Sequence, residues 1–190
     1  MTTQIELDPA HEVLEVIHHR RAVRSYQPTR LDESTIRALL DAAIQAPTAM
    51  HLEPWAFVVI QDAALLKRYS DRGKVLASHS GAYMELLANP AFNIFYDAGT
   101  LIVICGKPMG SFVTADCWLA AENLMLAASA MGLGSCPIGF AVPVLNTPEV
   151  KRELSIPADV TAIAPIIVGV PSAIPPAVGR EPPEILSWIR

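Results

Sequence analysis

Residues 116–139 read DCWLAAENLMLAASAMGLGSCPIG, and their reading decides the fold. From Cys117 to Met131 nearly every residue is apolar or small, with Glu122, Asn123 and Ser129 as exceptions. A helix apolar on almost all sides has no stripe to give to water, so the pattern predicts a helix inside the protein. It is long enough to cross a small domain but short for a bilayer, and Glu122 and Asn123 at its middle argue against a membrane span. Gly132-Leu133-Gly134 ends it, because glycine accepts the left-handed cap conformation. Ser135-Cys136-Pro137-Ile138-Gly139 then reads as a small-residue loop whose backbone stays open to a flat ligand. The stretch predicts a central buried helix that delivers a binding loop.

Working outward, the β-branched run TLIVIC (Thr100 to Cys105) predicts a buried strand immediately before that helix. Trp55 to Gln61 predicts another, and Val160 to Val170 a strand region interrupted by Pro165. Helix starts are marked by Asp8-Pro9, Asp32, Asp62 and Thr147-Pro148. The first of these gives an apolar face of Val13, Leu14 and Ile17, and the second spaces Ile36, Leu39, Leu40 and Ala43 for one buried side. Helical pattern resumes around Val75 to Leu87 and breaks at Asn89-Pro90. Ala91 to Asp97 is aromatic-rich, and packing is the expected use of most of its rings. Pro171 to Pro183 predicts an extended arm carrying one cation, Arg180, with a short helix closing the chain at Ile185 to Ile189. Helices outnumber strands and the strands are too far apart for hairpins, which predicts one α+β domain over residues 1–190, a sheet wrapped by helices.

Composition narrows the function classes. An apolar fraction of 52% with 17% charged residues suggests apolar surface hidden in an oligomer interface. A net charge of −5 gives no reason to expect nucleic acid. The start of the chain carries no basic segment followed by an apolar one, and Cys105, Cys117 and Cys136 form no C-x-x-C pair. The expectation is a cytoplasmic protein with reduced, packed thiols and no membrane partner.

Against that acidic background, His18, His19, Arg20, Arg21 and Arg24 put five basic-type residues within seven positions. Helix-end cations suit the macrodipole, and arginines equally suit a phosphate. Both readings stand on local grounds. Ala46 to Trp55 holds Pro47, Pro54 and a tryptophan, a stiff connection able to present side chains at an interface. The usual signatures are missing: no G-x-G-x-x-G, no Walker sequence and no G-x-S-x-G elbow. His51-Leu52-Glu53 matches half of a zinc deaminase signature, but P-C-x-x-C is lacking, so no metal site is expected.

Four segments, in order, resemble the nitroreductase family of flavin enzymes. Arg20-Arg21-Ala22-Val23-Arg24-Ser25-Tyr26 is similar to its opening R-R-S-x-R-x-F/Y. Ala46-Pro47-Thr48 with Glu53-Pro54-Trp55 is similar to A-P-S-x-x-N-x-Q-P-W. The central helix and loop resemble N-L-x-L-A-A-x-x-x-G-L-G-S-C, and Gly169-Val170-Pro171 with Arg180-Glu181-Pro182 resembles the terminal G-x-P and R-K-P. The resemblance implies a nitroreductase-like α+β fold, with a central, mostly antiparallel sheet wrapped by helices, in an intertwined homodimer holding FMN at its interface.

It further implies that Arg20, Arg21, Ala22, Arg24 and Arg180 surround the phosphate and ribityl chain. Pro137, Ile138 and Gly139 would flank the isoalloxazine, and Pro47, Thr48 and His51 would approach from the other subunit. The implied activity is ping-pong reduction of nitroaromatics, quinones or similar small acceptors at the expense of NADH or NADPH, with no catalytic side chain. The alternatives are a non-catalytic flavin carrier, or another chemistry of the same family such as reductive dehalogenation or heterocycle oxidation. Three positions depart from the pattern. Ala22 stands for Ser, which loses a hydroxyl contact to the phosphate. His51 stands for Asn and Glu53 for Gln, where the carboxylate either disfavours anionic acceptors or pairs with His51 at the dimer contact, which bears on the substrate.

Overall fold

The structure, a computed structural model, describes residues 12–77 and 83–190. In chain order its first elements are α1 (Glu12–His19), α2 (Glu33–Ala43), β1 (Trp55–Ile60), α3 (Ala63–Ala77), α4 (Met84–Ala88) and β2 (Thr100–Gly106). Then follow α5 (Val113–Ala130), β3 (Gly134–Pro137), α6 (Val142–Leu145), α7 (Pro148–Glu153) and β4 (Thr161–Gly169). The predicted helix start at Asp8-Pro9 lies outside the described residues. None of the described helices is long and apolar enough to cross a membrane.

The strands form one antiparallel sheet in the order β1-β2-β4-β3. Every residue of β2 is buried, as its β-branched run requires. Successive strand side chains point to opposite faces. Leu101, Val103 and Cys105 therefore enter one core with α3, α6 and Phe95, while Ile102 and Ile104 enter the other with α2 and α5. Opposite the Ile104/Cys105 step, β4 has one residue more than β2, because Ile104 faces Ala164 and Cys105 faces Ala162. The surplus residue, Ile163, makes a bulge. Ile163 and Ala164 thus both pack on the α5 side.

Pro165 does not interrupt β4, contrary to the sequence reading. Its carbonyl accepts the Ile138 N–H at 2.8 Å, on the β3 side. In an antiparallel strand one residue's N–H and C=O point the same way, so the missing donor faces the end of β3 and costs the β2 ladder nothing. Gly134 to Pro137 is likewise a strand and not a loop: it adds to the free side of β4 from Gly134↔Gly169 to Pro137↔Ile166.

α5 begins four residues earlier than its apolar run, at Val113, and is not buried all round. Cys117, Ala120, Ala121, Leu124 and Ala128 face the sheet, whereas Trp118 is 41% and Leu119 46% exposed. Asn123 donates its amide to the Ala42 carbonyl at 3.3 Å, tying α5 to α2. The helix stops in a Schellman motif: Leu133 N–H reaches the Ala128 carbonyl and Gly132 N–H the Ser129 carbonyl, with Gly132 at φ 73°. The apolar face of α1 is exposed at Val13 and Ile17. α3 runs unbroken to Ala77, and residues 185–189 form no helix. The aromatic segment packs as expected, with Ile94 and Phe95 fully buried.

A polar clasp joins α3 to α7. The buried Tyr69 hydroxyl donates to Glu153 Oε2 at 2.8 Å, Arg68 pairs with the same carboxylate, and Arg72 reaches Glu149 at 2.7 Å. Tyr69, then Arg68, hold the Glu153 carboxyl below its ordinary value of 4.5. A depressed folded-state pKa means stability fully present above 4.5 and lost as pH falls through the lowered value. Glu153→Gln keeps an acceptor for Tyr69 and removes the charge facing Arg68. Thermal melts should find the variant less stable than the parent at neutral pH, with the gap closing in acid below 4.5; a gap of constant size would show that packing, not charge, is lost.

Candidate functional site

The cation-rich segment after α1 is laid along the free edge of β3. Val23 N–H bonds the Ser135 carbonyl at 3.0 Å, and Ala22 bridges Ser135 in parallel register. Further on, Gln27 N–H bonds the Val170 carbonyl and Ser172 N–H the Ser25 carbonyl, each at 2.9 Å. The Tyr26 hydroxyl folds back to the Val23 carbonyl at 2.7 Å, and burial drives its pKa far up, so it remains a neutral donor. Val23 is buried directly over Gly134, where an added Cβ would lie 2.7 Å from the valine Cβ. Side chains on both sides of Val23 are thereby turned outward, and these include the arginines.

Arg20, Arg21, Ala22 and Arg24 line a cavity of about 650 Å³, together with His18, Glu122 and the extended arm from Pro175 to Arg180. Four arginines up to 160 positions apart (20 against 180) line this one cavity. Their commitments differ. Arg21 Nη1 donates to the carbonyls of His18 and Arg20 at 2.7 and 2.8 Å, capping the end of α1. Arg20 Nε stands 3.6 Å from Glu122 Oε1. Arg24 lies over the Tyr96 ring at 5.9 Å. The helix-end reading of the basic segment is thus met by Arg21, while Arg20, Arg24 and Arg180 line the cavity beside it.

Arg24 also borders a second, less polar cavity of about 220 Å³, lined by Ile94, Tyr96, Cys136, Pro137, Ile138, Gly139 and Phe140. An added Cβ at Gly139 meets nothing within 4 Å, so the chain there is open to a flat group. Pro137 has no N–H and that of Ile138 is bound to Pro165, so a backbone donor for a ligand comes from Gly139. Burial pushes the Cys136 thiol up, against the pull of Arg24 and then Arg20, and keeps it neutral.

Pro47, Thr48 and His51 line neither cavity. They belong to a segment held elsewhere: Asp116, near the start of α5, accepts the Ala49 N–H at 3.2 Å, and Thr48 Oγ1 accepts that of Glu53 at 3.3 Å. Met50, His51 and Glu53 all take left-handed backbone, at φ 56°, 55° and 47°. Such conformations persist only where surroundings enforce them. The His51 side chain is 92% exposed and stands 3.4 Å from Glu53 Oε1. Sequence reasoning missed Glu122, which carried no spacing signal, and Phe140, which follows Gly139. Tyr96 stood out as one ring of a lid or packing segment, and its place in the second cavity depends on segment 89–97 folding back to β3.

The model of the Nitroreductase family matches residues 17–170. The chain belongs to the nitroreductase family. Among relatives, an Archaeoglobus fulgidus protein provisionally named as an NADH dehydrogenase/NAD(P)H nitroreductase is 28% identical over 165 residues, 84% of this chain and 86% of that one. A Bacteroides fragilis nitroreductase with bound FMN superimposes with a TM-score of 0.80 at 26% identity, covering 95% of this chain and 98% of its own. An iodotyrosine deiodinase bound to FMN and 3-iodo-L-tyrosine has a TM-score of 0.73 at 23% identity, covering 91% and 97%. That last likeness speaks for the fold alone.

For this nitroreductase-family chain, Gly134→Ala tests how the arginines are placed. The new methyl must displace Val23, and overpacking of this kind costs about 1–3 kcal/mol. Denaturant melts should show a loss of that order, with hydrogen exchange faster at the Val23 amide; an unchanged melt would mean that segment 20–26 is not held by this contact.

Proposed function

We propose that the chain is an FMN-dependent oxidoreductase that uses NADH or NADPH to reduce small electron acceptors such as nitroaromatics or quinones. The observation that carries this reading is the convergence of four arginines on one cavity that meets an apolar, open-backbone cavity at Arg24. FMN has a phosphate at one end and a flat ring at the other, and the two cavities fit those ends in turn. In this reading Arg20, Arg24 and Arg180 grip the phosphate, Arg21 and Ala22 border the ribityl chain, and Pro137, Ile138 and Gly139 edge the ring. When bound, FMN supplies the redox chemistry, a ring that accepts electrons from one partner and gives them to another. The protein's share is binding and orientation, and the Gly139 N–H would be a donor available to the ring. No proton-transfer side chain is assigned.

The chain is proposed to work as a cytoplasmic homodimer. Exposed Trp118 and Leu119 on α5, and exposed Val13 and Ile17 on α1, support a partner copy. Pro47, Thr48 and His51 would then complete the ring pocket from the second subunit, which accords with their absence from both cavities of their own.

The visible spectrum of the purified protein, followed by anaerobic addition of NADH or NADPH, tests the reading. Flavin bands that bleach are expected. Flavin that stays oxidised would favour a carrier, and a colourless protein indifferent to added FMN would overturn the assignment. Arg20→Ala and Arg180→Ala should each weaken FMN binding roughly tenfold or more, as loss of a hydrogen bond to a charged group does. Unchanged affinity in both would remove the phosphate from this cavity.

A further inference from the structure

The arginine cavity contains one carboxylate among its lining residues, Glu122, and nothing in the proposed flavin reading uses it. Its neighbour Asn123 is spent on the Ala42 carbonyl and holds two helices together. Glu122 makes no such tie. It projects from the middle of α5 on the side of exposed Trp118 and Leu119, with its own side chain 48% exposed. Among the described residues its one ionic partner is Arg20, at 3.6 Å, a separation at which charges attract without a hydrogen bond fixing them. The Arg20 side chain is the less exposed of the two, at 23%.

We propose that Glu122 is a counter-ion gate for the phosphate end of the cavity. With no anion bound it occupies Arg20; an entering phosphomonoester takes its place on that guanidinium, and Glu122 turns toward solvent. This rests on the flavin reading of the cavity and adds a residue to it. The physical ground is exchange of one anion for another at a single cation. A half-exposed, unbonded pair is weak and yields easily, whereas a phosphate accepts bidentate bonds from Arg and is shared with Arg24 and Arg180. Yet the carboxylate still charges a cost, because Arg20 must leave it and a dianion must settle nearby. The gate therefore lowers affinity for phosphate-bearing ligands, speeds their release, and is blind to ligands without phosphate. It also keeps Arg20 neutralised in the empty protein, where four clustered cations would otherwise attract unrelated anions.

The test uses the apoprotein, prepared by removing any bound flavin, with FMN and riboflavin as paired ligands followed by quenching of flavin fluorescence. Glu122→Gln should tighten FMN by about threefold to tenfold and slow its dissociation by a similar factor, leaving riboflavin unchanged. Glu122→Ala should do the same, which separates the charge from any contact of the amide. In an Arg20→Ala background the gain from Glu122→Gln should fall to under half, since the competition is for that guanidinium.

Weaker FMN binding in Glu122→Gln, or an equal gain for riboflavin, would overturn the gate. A gain that persists in full without Arg20 would also overturn it, leaving simple repulsion. If the parent protein binds neither flavin, the flavin reading fails by itself. The gate then stands or falls on inorganic pyrophosphate measured by calorimetry, whose affinity must rise in Glu122→Gln and not in the double variant. No pyrophosphate binding either would overturn both.

Discussion

The contact of Val23 with Gly134 is the constraint on which the rest of the site depends. Gly134 opens β3 directly after the Schellman turn that ends α5, so its position is set by a helix packed on the sheet. Because it has no side chain, the backbone of segment 20–26 can lie against β3 with Val23 buried between them. A residue with a Cβ would hold that segment off the sheet edge. From this one approach follow the Val23–Ser135 hydrogen bond, the outward direction of Arg20 and Arg24, and the adjacency of Arg24 to Pro137–Gly139. The two cavities meet at one arginine because the strand that delivers Pro137 is the strand that segment 20–26 lies on.

Much of this was legible in residues 116–139, and the reasons for what was not are local. The apolar run of α5 announced a central helix, and Gly132 its end. It could not announce that Trp118 and Leu119 lie on an outer face, because hydrophobicity is the same whether the covering surface belongs to the same chain or to another. Ser135-Cys136-Pro137 lacks the β-branched residues that mark a strand, yet it is one, recruited by the free side of β4. Pro165 carries the opposite lesson: a proline speaks against a strand only when its absent N–H faces a neighbour that needs it. The arginine cluster was visible as a local excess of charge. Its union with Arg180 was not readable from spacing and came only through resemblance to a family.

The segment from Pro47 to Glu53 combines strained backbone with exposed side chains. Three consecutive-region residues, Met50, His51 and Glu53, hold left-handed backbone, and Met50 and His51 are turned almost wholly to solvent. A chain bears such strain where something enforces it, and the bonds from Ala49 to Asp116 and from Glu53 to Thr48 are what enforce it here. The effect is to present a histidine and a carboxylate, 3.4 Å apart, on a rigid prominence. The carboxylate that departs from the family pattern at Glu53 thus finds its partner in His51, the other departure, within the same chain.

The extended arm explains how an acidic protein gathers four arginines around one cavity. Arginines set near one another repel, so a cavity with four of them needs backbone anchors and side-chain partners to hold them. Segment 20–26 is fixed by the edge of β3, and Arg21 is fixed further by the carbonyls that end α1. Arg180 has no sheet to hold it. Pro171, Pro175 and Pro176 restrict the arm's backbone in advance, and Pro171 starts it from an antiparallel bridge to Tyr26, beside the very arginines that Arg180 joins. Proline lowers the entropy of the unfolded arm, so less ordering cost is added to the repulsion when the fourth cation arrives. The Pro-rich tail thus acts as a stiff strut for one charge, and Glu122 as the counterweight that makes the assembled cluster tolerable before any phosphate reaches it.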